Sequence, residues 1–181
     1  MSIVLVGSTS GSITLQEPAV SGTTVLTLPA VTGNVLTDTS PKAGNVIQVV
    51  QGTTTTHVTS TTSSLVASGL TASITPTSSS SKILVMITLQ GVGKSTNSTS
   101  LALWLHKNGS PISNFGVNNT AFTGDSSDNF PGGSAFNYLD SPATTSSTTY
   151  AVFFASASNL ATVNLQVNGS PSTITLLEIA A

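Results

Sequence analysis

The sequence predicts an all-β protein in which a β-sandwich follows an N-terminal segment of a different kind. One observation is the run from Lys82 to Gly91, whose apolar part is too short to cross a membrane and rich in β-branched residues, which is typical of a strand covered on both faces. Another is that hydrophobic residues make up 38% of the 181 residues, enough to fill a core. A third is a series of short apolar segments ended by turn residues: 100–107, 148–155, 161–167 and 172–180.

The charge content is unusually low, at 6% against about 25% in ordinary soluble domains. Arginine is absent and the four basic residues are lysines, so the sequence offers no basic surface for nucleic acid. Cysteine is absent too, which excludes disulfides and thiolate chemistry. Because natural sheets protect their edges with charges, we expect closure by a barrel or by self-association instead.

The N-terminal region contains an 11-residue repeat. The segment Met1–Gly7 is apolar but lacks the basic region of a signal peptide, so we expect a first strand or a docking arm and no membrane insertion. Gly11–Ser21 and Gly22–Thr32 then match as short alternating strands ended by Pro-Ala-Val, and a truncated third copy follows. Such units cannot bury their own apolar face. We therefore expect a trimer-forming shaft or an anchor, with Val25 and Leu28 at a subunit interface.

A turn-rich break at residues 38–44 divides the chain into an N-terminal segment, 1–40, and a sandwich, 45–181. Residues 45–52 alternate apolar and polar side chains, which predicts the first strand of the sandwich. A Ser/Thr-rich tract follows over 53–81. Its composition permits a disordered linker, but recurring apolar residues and the strand propensity of Thr favour short edge strands.

Two Asn-Gly-Ser-Pro tetrapeptides, at 108–111 and 168–171, predict tight turns because Asn and Gly tolerate positive φ. Along the strand before the first turn, leucines alternate with Ala102, Trp104 and His106. The leucines are expected to face the core. The opposite side, with Trp104 and His106, is a candidate subunit interface.

The segment 112–137 is predicted to be a long loop, with strand structure resuming at 135–139. Its phenylalanines stand among Gly, Asn and Asp, and aromatic rings stack on sugars while Asn and Asp reach hydroxyls. Candidate ligand-facing residues are Phe115, Phe122, Asp125, Asp128, Asn129 and Phe130. The alternative is that the phenylalanines plug the sandwich end or a trimer axis. Asp125, Asp128 and Asn129 could hold Ca²⁺, but their spacing is not that of an EF-hand, which favours a solvated acidic loop.

No motif indicates catalysis. Gly91-Val-Gly-Lys-Ser95 imitates the end of a phosphate-binding loop, but Thr88 stands where that motif needs Gly and no helix pattern follows. His57 and His106 lack a Gly-x-Ser-x-Gly partner motif, and Asp125, Asp128 and Asp140 form no obvious carboxylate pair for cleaving glycans. We expect a non-enzymatic protein without cofactor or metal.

The second domain resembles the C-terminal knobs of bacteriophage tail-fibre-like and other virion fibre proteins, and the N-terminal repeats look like the segments that precede such knobs. The resemblance rests on Ser81-Lys-Ile-Leu-Val85, Trp104-Leu-His-Lys-Asn-Gly109, Tyr138-Leu-Asp-Ser-Pro142 with Thr148-Thr-Tyr150, and Ser172-Thr-Ile-Thr-Leu-Leu-Glu-Ile179. It implies a homotrimer with a jelly-roll-like head, similar in layout to tumour-necrosis-factor-type trimers, on a virion surface.

The resemblance leaves two roles open. In the first, a trimeric decoration or fibre protein is attached to the capsid by its N-terminus, through the major capsid protein or another virion protein. In the second, the protein is a tail-fibre adhesin that binds host surface glycans. A bacterial extracellular binding module is a third alternative, and it would require a secretion signal that we do not find in the sequence.

Overall fold

The computed structural model describes residues 3–6, 9–15, 42–120, 129–157 and 160–181. The chain forms two compact units, Met1–Val35 and Leu36–Ala181. In the first unit, β1 (Ile3–Val6) and β2 (Ser12–Leu15) pair antiparallel. The expected first strand is therefore present, and β2 falls in the first repeat. The second and third repeats, with Val25 and Leu28, lie outside the described residues.

The second unit contains two antiparallel sheets, so the prediction of an all-β sandwich is confirmed. Its strands are β3 (Val46–Thr54), β4 (Val58–Ser60), β5 (Val66–Ile74), β6 (Lys82–Lys94), β7 (Leu101–Lys107), β8 (Ser110–Thr120), β9 (Asn129–Asp140), β10 (Thr148–Ser156), β11 (Val163–Leu165) and β12 (Ser172–Ile179). In the described part of the chain, no helix is long and apolar enough to cross a membrane.

Each sheet has four strand positions. In the β6 sheet, β9 forms one edge and pairs with β6. On its other side β6 pairs with both β11 and β12. Strand β4 pairs with β11 and β3 with β12, so β3 and β4 form the opposite edge. Strands β11 and β12 lie end to end, because they pair with different parts of β6. Strands β3 and β4 lie end to end as well, because β3 pairs with β12 and β4 with β11. The β7 sheet has the order β5-β10-β7-β8.

The core lies between the sheets and consists of inward-facing residues at alternate positions. Leu101, Leu103 and Leu105 of β7 are fully buried, as the alternation along that strand predicts. They belong to one cluster with Tyr150 and Phe154 of β10 and with the inner side chains of β5, β6 and β12. Burial of this many large side chains supplies the main driving force for folding.

The prediction of a long loop over 112–137 is wrong. Strand β8 pairs with β7, and β9 pairs with β6, so strands occupy most of this segment outside the undescribed residues 121–128. Register shifts interrupt both ladders, and Gly116 and Gly132 have φ of 140° and 101°. These bulges break the two-residue alternation that would have revealed strands. The Ser/Thr-rich tract, by contrast, forms the edge strands β4 and β5, so the disordered-linker alternative is wrong.

The two Asn-Gly pairs play different roles. Asn108 and Gly109 have φ of 48° and 83° and close the β7–β8 hairpin, as predicted. Asn168 and Gly169 also have positive φ, but they belong to a short 3₁₀ turn between β11 and β12, which both pair with β6. The expected strand at 161–167 is correspondingly shortened to β11.

The sandwich has two ends that differ in what they carry. The proximal end holds residues 42–45, which lead into β3, together with the C-terminus and the connections 75–81, 108–109 and 141–147. The distal end holds the connections 61–65, 95–100 and 157–162, and there β8 ends and β9 begins.

Candidate functional site

The outer face of the β6 sheet carries a band of apolar side chains near the proximal end. Four of them form a straight row across all four strand positions, because Val49 pairs with Leu177, Leu177 with Leu84, and Leu84 with Leu139. We call this surface the apolar outer face and define it by Val46, Val49, Leu84, Met86, Leu139, Leu177 and Ile179.

Much of the apolar outer face is open to solvent in the single chain. Val49 is 59% exposed, Leu139 51% and Met86 44%. The sequence predicts β6 to be covered on both faces, and for its outer face this is wrong in the single chain. The residues adjoining the band towards the distal end are neutral, with Gln51 donating a hydrogen bond to the Thr175 hydroxyl at 3.0 Å. At the proximal margin the exposed Lys82 lies on the same face, in register with Ile179. An exposed apolar patch bordered by polar side chains is typical of a protein contact surface.

The outer face of the β7 sheet carries Trp104 and His106 together, as the alternation predicts. Trp104 is half-buried and lies opposite Phe153 of β10, and the His106 ring stacks on Phe153 with a centroid distance of 4.0 Å. His106 is only 8% exposed, and its two ring nitrogens have no hydrogen-bond partner in the described structure. The placement on one face is observed, while a subunit interface at these two residues stays a prediction.

The candidate ligand-facing residues are dispersed. Phe115 of β8 stacks on Phe136 of β9 at 4.9 Å, and both are half-buried beside the core. A ligand-facing role for Phe115 stays a prediction. Phe122, Asp125 and Asp128 lie outside the described residues. Residues 129 and 130 are described only as the beginning of β9. Among the described residues, no cluster of three His, Asp or Glu side chains could hold a metal.

Asp140 is part of a buried ionic cluster at the proximal end. It accepts hydrogen bonds from Lys107 Nζ at 2.9 and 3.1 Å and from the Tyr150 hydroxyl at 2.6 Å. Burial, followed by the bond to Asp140, raises the pKa of the Tyr150 hydroxyl above its ordinary value. Since Asp140 ends β9 and the other two residues lie on β7 and β10, the cluster joins the two sheets. The sequence suggested no partner for Asp140, and the structure gives it a structural one.

Glu178 is a second buried carboxylate at the proximal end, and no motif in the sequence assigns it a role. Its carboxylate accepts hydrogen bonds from Gln48 at 2.6 Å and from the amide and hydroxyl of Thr77 at 2.7 and 2.8 Å. Burial opposes ionisation of this group, but the hydrogen bonds outweigh burial and lower its pKa. Its burial could have been suspected from the sequence, because Glu178 occupies an inward-facing position in the alternating pattern of β12.

The segment that imitates a phosphate-binding loop is the end of a strand. Strand β6 continues through Lys94, which is fully buried and donates a hydrogen bond from Nζ to the Thr96 carbonyl at 2.7 Å. Gly91 has φ of 58°, and the backbone of Val167 approaches it so closely that a Cβ would lie 2.4 Å from the Val167 nitrogen. The glycine therefore serves the packing of the 3₁₀ turn against β6, with no phosphate cradle.

Comparisons with known proteins give no family. No family model and no curated protein matches the chain. Among solved structures it is similar to the T13 viral particle of infectious bursal disease virus (14% identity, TM-score 0.40, covering 94% of this chain and 42% of that one). It is also similar to the Gx strain of that virus (13%, 0.39, 94% and 44%) and to its VP2 subviral particle (15%, 0.37, 85% and 42%).

All three structures come from one animal virus and none from a bacteriophage. The chain spans less than half the length of each of these proteins.

Proposed function

We propose that the protein is a non-enzymatic structural component of a bacteriophage virion. In this proposal it is a homotrimeric decoration or fibre protein whose N-terminal segment binds the major capsid protein or another virion protein. The sandwich then lies exposed on the virion surface. The observation that carries the proposal is that the chain enters the sandwich at its proximal end, opposite the distal connections 61–65, 95–100 and 157–162.

The chain is firmly tied where it enters the sandwich. The amide of Gly44 donates a hydrogen bond to the Ala180 carbonyl at 2.8 Å, and the amide of Ala180 donates to the Asn45 carbonyl at 2.9 Å. The start of β3 is thereby fixed to the end of β12. Strand β6 alone, at about 3.3 Å per residue, separates this clamp from the distal connections by roughly 40 Å. A head that is held at its proximal end, with a further set of connections at the far end, suits a protein displayed on a particle.

The connectivity supports the same proposal. If β3 with β4 and β11 with β12 each count as one strand, the sandwich has eight strands, which we number 1 to 8 along the chain. Their order is 1-8-3-6 in the β6 sheet and 2-7-4-5 in the β7 sheet. We interpret this order as a jelly roll, the architecture of many viral capsid domains and also of lectins and cupins. Since one fold serves several functions, the connectivity adds to the proposal without deciding it.

In the proposed trimer, contacts between subunits would bury the exposed apolar surface of the sandwich and the apolar faces of the N-terminal repeats. Three identical heads would also present three copies of every distal loop, and weak contacts made in parallel add up to firm binding.

The proposal is tested on purified phage particles with an antibody against the sandwich. We expect gold label or cryo-EM density at regular capsid positions, and earlier thermal release of the genome from particles that lack the protein. Label on tail structures together with reduced adsorption to the host would favour the adhesin alternative. A protein absent from purified particles would overturn the proposed function.

A further inference from the structure

We propose that the apolar outer face is the surface on which a second copy of this chain docks. The inference rests on the self-assembly contained in the proposed function, and it names the surface that assembly uses. It does not depend on where the protein resides, since the argument concerns only the sandwich.

The first argument is size. Four strand positions spaced about 4.8 Å apart give a width of roughly 19 Å, and the stretch from Lys82 to Gln90 adds a length of about 30 Å. The apolar band with its margin, which is neutral apart from Lys82, thus covers roughly 570 Å² of sheet plane, and protruding side chains make the accessible area larger. A standard interface takes about 800 Å² from each partner, so this face suffices for most of one.

The second argument is the match in charge. Among the described residues, the exposed charged side chains are Lys42 and Lys82, because Lys94, Asp140 and Glu178 are buried and Lys107 is paired with Asp140. Lys82 lies at the proximal margin of the apolar outer face, in register with Ile179. A protein of ordinary composition, with about 25% charged residues, would set charges against leucines and leave them unpaired. With 6% charged residues in the whole sequence, a second copy brings few charges to the face. The occupant that fits best is therefore the chain itself.

The third argument compares the exposure of the apolar outer face with that of the other candidate interface, on the β7 sheet. On the Trp104 and His106 side of the β7 sheet, Trp104 is half-buried and His106 is only 8% exposed with its ring stacked on Phe153, so these two residues have less area left to bury. The face with Val49 and Leu139, both more than half exposed, gains far more from association. At about 25 cal/mol per Å² of apolar area, the difference favours the β6 sheet.

The chain contains no cysteine, which permits a direct test with single-cysteine variants of the full chain. Leu139→Cys and Met86→Cys place a thiol on the apolar outer face at exposed positions, and Thr71→Cys places one at an exposed position on the β7 sheet as a matched control. A short bis-maleimide at micromolar protein should join Leu139→Cys or Met86→Cys copies into covalent dimers. The Thr71→Cys chain should remain single under the same conditions.

Analytical ultracentrifugation supplies the second readout. We expect the wild-type chain to sediment as an oligomer, and Leu139→Lys with Met86→Lys to raise the dissociation constant at least tenfold while leaving the circular dichroism and melting of the sandwich unchanged. A monomeric wild-type chain would overturn the inference, and so would an oligomer that only Trp104→Gln dissociates. Crosslinking through Leu139→Cys in a protein absent from phage particles would refute the proposed function and leave this inference standing.

Discussion

The two ends of the sandwich are held by different chemistry. At the proximal end, Asp140 and Glu178 are buried carboxylates, and their hydrogen bonds join strands that are distant in sequence. At the distal end the buried charged residue is Lys94, which donates a hydrogen bond from Nζ to the Thr96 carbonyl at 2.7 Å, and the bonds between connections are neutral. Ser156 donates from its amide to the Thr62 carbonyl at 2.9 Å and from its hydroxyl to the Ala161 carbonyl at 2.7 Å, and Ala157 donates to the Ser100 carbonyl at 2.9 Å.

The difference shows how a chain with few charges uses the ones it has. A buried carboxylate is costly unless it is fully hydrogen-bonded, and then it fixes its neighbours in one arrangement. In this protein both such groups of the described residues lie where the chain enters the sandwich. Because hydrogen bonds outweigh burial and lower the pKa of Glu178, the stability that this residue contributes at the proximal end should fall at acid pH, whereas the contribution of the neutral Ser156 bonds should not change.

The largest effect is expected near the distal end, where two backbones meet. Gly91→Ala combines a positive φ with a Cβ 2.4 Å from the Val167 nitrogen, and we expect a loss of about 4 kcal/mol of unfolding free energy. Gly109→Ala is the control, since that glycine also has positive φ but nothing within 4 Å of the added Cβ. Urea unfolding should show a loss of only about 1 kcal/mol for this variant. Equal losses would show that the close approach to Val167 does not matter.

At the proximal end, Asp140→Ala should destabilise the sandwich by about 3 kcal/mol, because it leaves Lys107 and the Tyr150 hydroxyl without their partner in a buried cluster. Tyr150→Phe removes a single hydrogen bond and should cost about 1 kcal/mol. Thermal melts of both variants compare the two costs. If Asp140→Ala melts like Tyr150→Phe, the ion pair with Lys107 contributes nothing to stability.

Glu178→Gln should cost about 2 kcal/mol at neutral pH, since hydrogen bonds to a carboxylate are stronger than those to an amide. The pKa of Glu178 is lowered in the folded state, so its contribution is complete above the ordinary carboxyl pKa and disappears as pH falls through the folded value. Urea unfolding from about pH 6 down to about pH 3 should therefore bring the variant and the wild type together. A gap that stays constant over this range would contradict the assignment.

The smallest effect is expected for Ser156→Ala at the distal end, which loses one neutral hydrogen bond to Ala161 and about 1 kcal/mol of stability. Because no ionisable group takes part in that bond, the loss should be the same at neutral and acidic pH. Hydrogen exchange of the distal amides would confirm it by showing the same increase at both pH values. A loss that varied with pH would break the distinction between the two ends.

Much of the sandwich could be predicted from local patterns. The leucines of β7 alternate with Trp104 and His106, and that alternation correctly separated the core side from the outer side. Asn108 and Gly109 correctly marked a hairpin. The prediction was wrong where bulges at Gly116 and Gly132 interrupt the alternation, because two-residue periodicity is the signal by which a strand is found.

The surroundings of the candidate residues could not be predicted from local patterns. Phe115 was a candidate ligand-facing residue, yet it stacks on Phe136 beside the core. Asp140 had no evident partner in the sequence, although Lys107 and Tyr150 bind it in the folded chain. Both sets of contacts join residues from different strands. The pattern of residues along one strand does not say which residues of another strand it will contact.

The sequence by itself determined the all-β class, the core side of β7 and the shortage of charge, because these depend on composition and on neighbours along the chain. Only the tertiary structure decided that Gln48 would meet Glu178 across 130 residues and that Leu84 would join Leu139 and Leu177 in one open row. The physical reason is strand register. It is set by the packing of both sheets together, and it alone determines which distant side chains share a face.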